Sequence, residues 1–583
     1  MKRCPQCNRV ETDEALKFCR VDGTVLIVDE TADEYSATEM LPSVRTTEDR
    51  SAALPSESPV NTSSIEHRQS SDGTASALAS PAAATRRPWI SRHKVAAIAA
   101  ILVIVGGGIA LGLFWHARNS EVAIDSIAVL PFDNRSSDAD TEYLSDGLAE
   151  SLIYRLSQLP NLKVSPTSTV LRFKGQQNDP IEVGNKLGVS AVLSGRITQR
   201  GDNLTISAEL VDVRYNKLLW GEHYERKLSE LLTTQREIAR EIADSLKVKV
   251  SPEERGLAKH YTESNEAYQL YMKGRFYFNK RSAEGTQKAL DNFQQAIGKD
   301  PNFALAYAGL ADTYDLAGTP DAGGNVPPND ALPKAKAAAA RAIALDPTLA
   351  EPHVSLAHVR YYYDRDWPAA EQEFKRAIEL NPNYPQAHHW YAIFLAWSGR
   401  PDEGLAEARK AEQLDPLSLP IGMSIGWILC DMNRIDEGIA ALNKTLELDP
   451  TFTNGHHRLA LCYGRKGQSD GVIAEAEKIA LGGRKDVSLS FLGQAYAMTG
   501  RKKEAMMALN QLIEESKQHF VAPTLIAFIY AALGDKDQAF TWLDKALDEH
   551  DLMTARVNVD YQFDPLRNDS RFATLVKRVG LSR

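Results

Sequence analysis

Cysteine is scarce in this chain: five residues among 583, three of them (Cys4, Cys7 and Cys19) within the first twenty. That number and clustering exclude a secreted disulfide framework and point to a metal site in a reducing compartment. Basic charge is also short. Lys and Arg total 67 against 77 Asp and Glu, a net charge of −10, which speaks against a phosphate-tracking surface and against nucleic acid as a partner. No Gly-rich loop is followed by Lys and Ser or Thr, so the usual nucleotide-binding motif is missing and the chain reads as a non-enzyme. What is present is ordinary folding material, 43% hydrophobic and 25% charged. A chain of this length exceeds one core and implies three or four domains.

Four composition regimes follow one another. Residues 1–28 carry the clustered cysteines. Residues 29–94 are rich in Ser, Thr, Ala, Pro and acidic residues, with few large apolar side chains to offset ordering entropy, which predicts a disordered tether. Residues 95–115, VAAIAAILVIVGGGIALGLFW, form an uncharged apolar run. At about 1.5 Å per residue it matches a hydrocarbon core of roughly 30 Å. Arg86, Arg87, Arg92 and Lys94 precede it and only Arg118 closely follows, which predicts a single-pass protein of a bacterial inner membrane, N-terminus cytoplasmic and later domains extracytoplasmic. Gly108 and Gly112 make a GxxxG pair that would let two such helices dimerise.

Residues 122–250 mix strand and helix periods. Ile127 to Phe132 reads as a buried strand, Ser145 to Leu159 as a helix, Leu162 to Phe173 as extended, and Pro180 to Leu187 as a brief helix. Ala191 to Ile197, Leu204 to Val211 and Lys217 to Tyr224 read as a three-stranded meander, closed by a helix from Leu228 to Val248. The strings SIAVLPFDNRSSDADTEYLSDGLAESLIYRLSQL, GVSAVLSGRIT and LLWGEHYER resemble a module of bacterial membrane proteins described as like the amino-terminal domain of TolB, often followed by tetratricopeptide repeats. The resemblance implies a signalling architecture whose cytoplasmic side often carries a cyclase, a kinase or a winged-helix DNA-binding domain. None of those is visible here. Asp133, Asp138, Asp140 and Asp146 suit turns and helix caps better than a catalytic cluster.

From about Ser264 the chain repeats itself. The triplets ending at Pro301, Pro347, Pro382, Pro416 and Pro450 close successive units, the last four at intervals of 35, 34 and 34 residues, the tetratricopeptide period. Small residues recur in each first helix (Gly274, Ala311, Ala357, Ala392, Gly426, Ala460, Gly493, Ala527) and in each second helix (Ala289, Ala335, Ala370, Gly404, Gly438, Val472, Ala505, Ala539), where two helices cross closely. Gly399, Asn433, Gly467, Gly500 and Gly534 fall at turns that call for a left-handed backbone. The expected fold is thus mainly α: a tetratricopeptide superhelix of about eight units over 264–551 with a cap over 552–583, preceded by the α/β domain, one transmembrane helix and a small zinc-ribbon-like N-terminus.

Stacked repeats leave an inner groove lined from their first helices. That stripe contains His358, Tyr361, Tyr362, His389, Ile393, Trp397, Met423, Trp427 and His457, aromatic and Met positions that suit a protein or peptide ligand and equally suit core packing between units. Cys430 and Cys462 lie in adjacent first helices; an oxidising compartment would permit a disulfide, their spacing does not show that the side chains face each other, and two free buried thiols are the preferred reading. Cys4-Pro-Gln-Cys7 followed by Cys19 and Asp22 resembles a small zinc ribbon in which Asp22 replaces the fourth Cys; Zn would be structural. The leading function is a membrane-anchored interaction scaffold or signalling receptor. A transcription-linked regulator acting through the ribbon is the alternative, and a cyclase- or kinase-like enzyme the remote one.

Overall fold

The computed structural model describes residues 2–3, 10–11, 27–28, 124–136, 141–159, 162–176, 179–246, 261–319 and 326–581. It divides into two compact units, Met1–Val105 and Gly106–Arg583. In the first, β1 (Lys2–Arg3), β2 (Val10–Glu11) and β3 (Ile27–Val28) form an antiparallel sheet in the order β2-β1-β3. The candidate zinc ligands Cys4, Cys7, Cys19 and Asp22 lie outside the described residues, as do the tether and the pair Gly108 and Gly112. Among the described residues no group of His, Cys, Asp or Glu is arranged to hold a metal ion.

The membrane placement is corrected. No helix among the described residues is long and apolar enough to cross a membrane, and the run 95–115 that suggested it lies outside them. The inner-membrane, single-pass topology is therefore not carried further.

The second unit opens with the α/β domain. Its elements are β4 (Ser126–Val129), β5 (Asp133–Asn134), α1 (Glu142–Leu156), β6 (Lys163–Val164), α2 (Thr167–Val170), α3 (Pro180–Leu187), β7 (Ala191–Arg200), β8 (Asn203–Asp212), β9 (Lys217–Lys227) and α4 (Leu231–Ser245). The sheet runs β6-β4-β7-β8-β9 with β5 beside β7; β4 pairs in parallel with β6 and β7, and β7-β8-β9 is an antiparallel meander. All four residues of β4 are buried, as a central strand covered on both faces requires. β8 alternates buried and less buried positions, the period of a strand with one covered face. The meander turns where Gly201 and Asn216 take positive φ. One expectation fails: 162–173 is extended only at β6 and then turns helical through α2. Ser168 and Thr169 donate their hydroxyls to Asp415, so a tertiary contact overrides the local apolar pattern.

Eight antiparallel helix pairs follow among the described residues: α5 (Asn265–Asn279) with α6 (Ala283–Lys299), α7 (Ala304–Ala317) with α8 (Pro328–Leu345), α9 (Glu351–Tyr362) with α10 (Trp367–Leu380), α11 (Pro385–Trp397) with α12 (Pro401–Leu414), α13 (Leu419–Asp431) with α14 (Ile435–Leu448), α15 (Thr453–Arg465) with α16 (Ser469–Leu481), α17 (Lys485–Met498) with α18 (Lys502–Glu515), and α19 (Pro523–Leu533) with α20 (Lys536–Asp548). The small positions sit where the sequence pattern put them. A Cβ on Gly426 would lie 2.8 Å from the Gly438 carbonyl oxygen, and one on Gly438 would lie 2.5 Å from that of Gly426. The two backbones touch, and no larger residue fits between them. Gly399, Asn433, Gly467, Gly500 and Gly534 all have positive φ.

Cys430 and Cys462 are joined in a disulfide between α13 and α15, which corrects the reading of two free thiols. Spacing alone could not show that the two side chains face each other; stacking of adjacent first helices brings their Cα atoms to 5.7 Å.

Beyond α20 the chain makes two 3-10 turns, Leu552–Arg556 and Tyr561–Leu566, and a last helix α21 (Ser570–Arg578). The α/β domain shares one apolar core with the first helix pair, running from Ile127, Leu152 and Ile242 into Tyr268, Met272 and Phe303.

Candidate functional site

The first helices of successive pairs stack side by side, and two other parts of the chain, the α/β domain and the closing segment, pack against them. At the start, α1 of the α/β domain packs on α5. Arg275 pairs with Glu150 at 2.6 Å, Asn279 donates to the same carboxylate at 3.0 Å, and Ser151 meets the Tyr268 hydroxyl. Further along, Ser168 and Thr169 hydrogen-bond Asp415, while Arg172 donates to the carbonyls of Leu417 at 2.9 Å and Leu448 at 2.8 Å. In the other inter-pair loops the equivalent Asp or Asn caps its own turn: Asp300, Asp346, Asn381 and Asp449 each accept from a backbone N–H two residues on. Asp415 instead reaches another domain.

At the far end the closing segment lies along the inner helices. The Arg556 guanidinium rests 5.6 Å from the Trp427 ring centre and pairs with Asp560 at 2.7 Å. Arg465 donates to the Val559 carbonyl, Gln562 to Gln494 at 2.8 Å, and Phe563 packs edge-on against Phe528. Tyr561 lies against Gly464, where a Cβ would collide with its hydroxyl. The segment then returns to the third pair: Trp367 donates to the Val579 carbonyl at 3.0 Å and Arg365 to that of Arg578 at 3.4 Å.

The predicted groove residues are interior, apart from the half-buried Ile393, and of them Trp427 meets the closing segment through Arg556. His358, 2% exposed, bonds Asp315 at 2.6 Å and packs edge-on against Trp390. Tyr361 and Tyr362 are buried beside it, Tyr361 within a cluster of Trp367, Phe374, Phe394 and Trp397. Trp397 stacks edge-on with Trp427, and Trp427 is capped by Arg458 at 4.8 Å. His389 meets Ser424 at 2.9 Å, and burial pulls its imidazole down to about 4. Met423 belongs to a core cluster with Cys430, Leu442 and Leu459; His457 packs on Phe491. These residues stand on the first helices of their pairs, and neighbouring pairs supply most of their contacts.

Other histidines serve the scaffold. His353, His388 and His456 each bridge to a Glu of the partner helix (Glu373, Glu407, Glu475) at 2.6 Å, and the last two also meet a Pro carbonyl at 2.9 Å. In the α/β domain Asp146 and Glu142 share Lys174 and Asp133 pairs with Arg135; Asp138 and Asp140 lie outside the described residues. Sequence reasoning missed Arg281 and Arg365, which take positive φ (50° and 59°) where other pairs use Gly or Asn. An Arg at a position that ordinarily wants glycine was the available signal.

Between α1 and the inner helices of the first four pairs a cavity of about 260 Å³ remains, lined among others by Tyr154, Tyr271, Arg281, Glu351, Tyr384 and Trp390.

A family model described as HilA/YgeH-like transcriptional regulator, second domain, matches residues 123–243; the TolB-like assignment of this region finds no support. Tetratricopeptide repeat models match 359–418 and 492–519, and the C-terminal region consists of such repeats. A curated relative, putative adenylate cyclase 3 of Rhizobium meliloti (strain 1021), is 33% identical over 188 residues, 32% of each protein. The chain therefore spans about a third of that relative's length. Similar solved structures include PilF of Pseudomonas aeruginosa (19% identical, 37% of this chain and 92% of that chain, TM-score 0.29) and human IFIT1 in a dimer with m7Gppp-AAAA (17%, 54% and 77%, TM-score 0.38). Likeness at this level carries no functional argument.

Proposed function

We propose that this protein is a non-catalytic protein–protein interaction scaffold whose inner face takes polypeptide and is held shut by the chain's own closing segment. The observation behind it is that residues 551–581 already occupy the inner helices of the later pairs through ring, guanidinium and main-chain contacts. These are the means by which helical arrays hold peptides. A partner offering an Arg and aromatic residues in the same order would compete for that seat.

Gly464→Ala tests this. The added Cβ pushes Tyr561 off α15, while α15 itself gains from losing a mid-helix Gly, by about 1 kcal/mol. We expect faster hydrogen exchange at 556–566 and capture of a labelled peptide of residues 551–581, which the parent protein excludes. Unchanged exchange together with no capture would count against the reading.

A second reading draws on the match at 123–243: a transcription-linked regulator in which the α/β domain and repeats form a sensory body. Specific retention of DNA by the full chain would favour it. The cyclase name of the curated relative is tested by incubating the full chain with ATP; no cyclic product is expected.

A further inference from the structure

Most charges around the cavity between α1 and the early repeats satisfy one another. Arg275 lies between Glu150 and Asp312, Asp312 also accepts from Ser355 at 2.5 Å, Asp315 pairs with His358, and Asp415 takes Ser168 and Thr169. Two lining groups stay unsatisfied: Oε2 of Glu351 and Nε1 of Trp390, both enclosed and without a hydrogen-bond partner. An unpartnered carboxylate oxygen and an unpartnered indole N–H in one enclosed wall are costly unless something fills the space.

The rest of the wall describes what that something is. Tyr154, Tyr261, Tyr271 and Tyr384 all lie within the electrostatic reach of Glu351. Burial pushes the Glu351 carboxyl up to about 7; its own backbone N–H opposes the rise, Asp312 and Asp346 add to it, and Arg275 opposes it. Tyr154, Tyr261, Tyr271 and Tyr384 line the cavity together with Glu351, and tyrosine rings beside a carboxylate suit an organic ammonium, through ring quadrupoles and one charge-assisted hydrogen bond. We propose that this cavity is a binding site for a small organic ammonium compound, its nitrogen on Glu351 and a hydroxyl or carboxylate oxygen on the Trp390 indole N–H. A volume near 260 Å³, just below the usual ligand-pocket range of roughly 300–1,000 Å³, limits the guest to about ten heavy atoms, since a cavity of about 150 Å³ takes benzene. Arg281 stands in the same wall, on the Phe278 ring at 4.3 Å, and would favour a guest that also carries a carboxylate.

The test is titration calorimetry on the full chain with ethanolamine, glycine and, as an ammonium-free control, acetate. Saturable one-to-one binding of ethanolamine or glycine is expected; which binds tighter tells whether the oxygen partner is hydroxyl or carboxylate. Glu351→Gln should weaken it about tenfold or more, since it removes the carboxylate charge facing the ammonium, and Trp390→Phe by a smaller factor, since it removes the indole donor. Glu222→Gln, on exposed β9, should leave it unchanged. Should Glu351→Gln fail to fold, Trp390→Phe carries the comparison, because it keeps an aromatic ring. Absence of saturable binding of either ammonium probe, tighter binding of acetate, or parent-like affinity in the folded variants would overturn the proposal.

Discussion

Over the early helix pairs the inner face looks across a cavity of about 260 Å³ at the α/β domain, whereas over the later pairs it is packed directly by residues 551–581. Side-chain chemistry accounts for the contrast. The early wall carries Glu150, Arg275, Asp312 and Asp315, groups that need partners and resist close apolar packing. The later wall offers Trp427, Gly464 and Phe528, surfaces that a polypeptide can fill. One helical frame thus yields a hollow region and a sealed one according to what lines it.

The sharpest way to break the contrast is to unpick the sealed half. Gly426→Leu drives a side chain into the backbone of α14, and we expect a loss of about 3 kcal/mol or more, the upper range for overpacking. Denaturant unfolding should then show the later pairs melting first while tyrosine fluorescence from the early wall persists. Reduction of Cys430–Cys462 comes next. The bridge closes a segment with a sequence separation of 32, for which chain entropy gives about 3–4 kcal/mol. Dithiothreitol should lower the melting temperature of the parent, and Cys430→Ala with Cys462→Ala should abolish that sensitivity.

Acid probes the junction of the two halves. His389 is buried between α11 and α13 with its imidazole held at about 4 against an unfolded value near 6.5. Between those values the unfolded state binds the extra proton, so stability is full above about 6.5 and falls as pH drops toward 4. The slope is about 1.4 kcal/mol per pH unit in mid-window. His389→Asn should flatten the melting temperature over this window relative to the parent. The smallest effect belongs to the hollow half: Arg172→Ala removes donors to the Leu417 and Leu448 carbonyls. As this contact is partly exposed, about 1 kcal/mol is expected, read as faster proteolysis near residues 166–176 with the global melt little changed.

Much of the frame was legible without coordinates. The Asp-Pro and Asn-Pro spacing, the small residues at helix crossings and the Gly or Asn turns are local demands, and each holds in the folded array. The α/β meander was legible for the same reason, since alternation and turn residues act over a few positions. The segment 162–173 was not, because hydroxyl contacts with Asp415, nearly 250 residues away, decide its shape. The disulfide also depended on how α13 and α15 stack.

Residues acting on their near neighbours determined the eight helix pairs among the described residues and where each turn falls. Only the tertiary structure decided what the inward face meets. His358, Trp397, Trp427 and His457 carry the same side chains whether a guest or the chain itself covers them, and burial is a property of both surfaces in a contact. The covering surfaces come from neighbouring pairs and, at Trp427, from Arg556 of the closing segment, so no local pattern in the stripe could announce them.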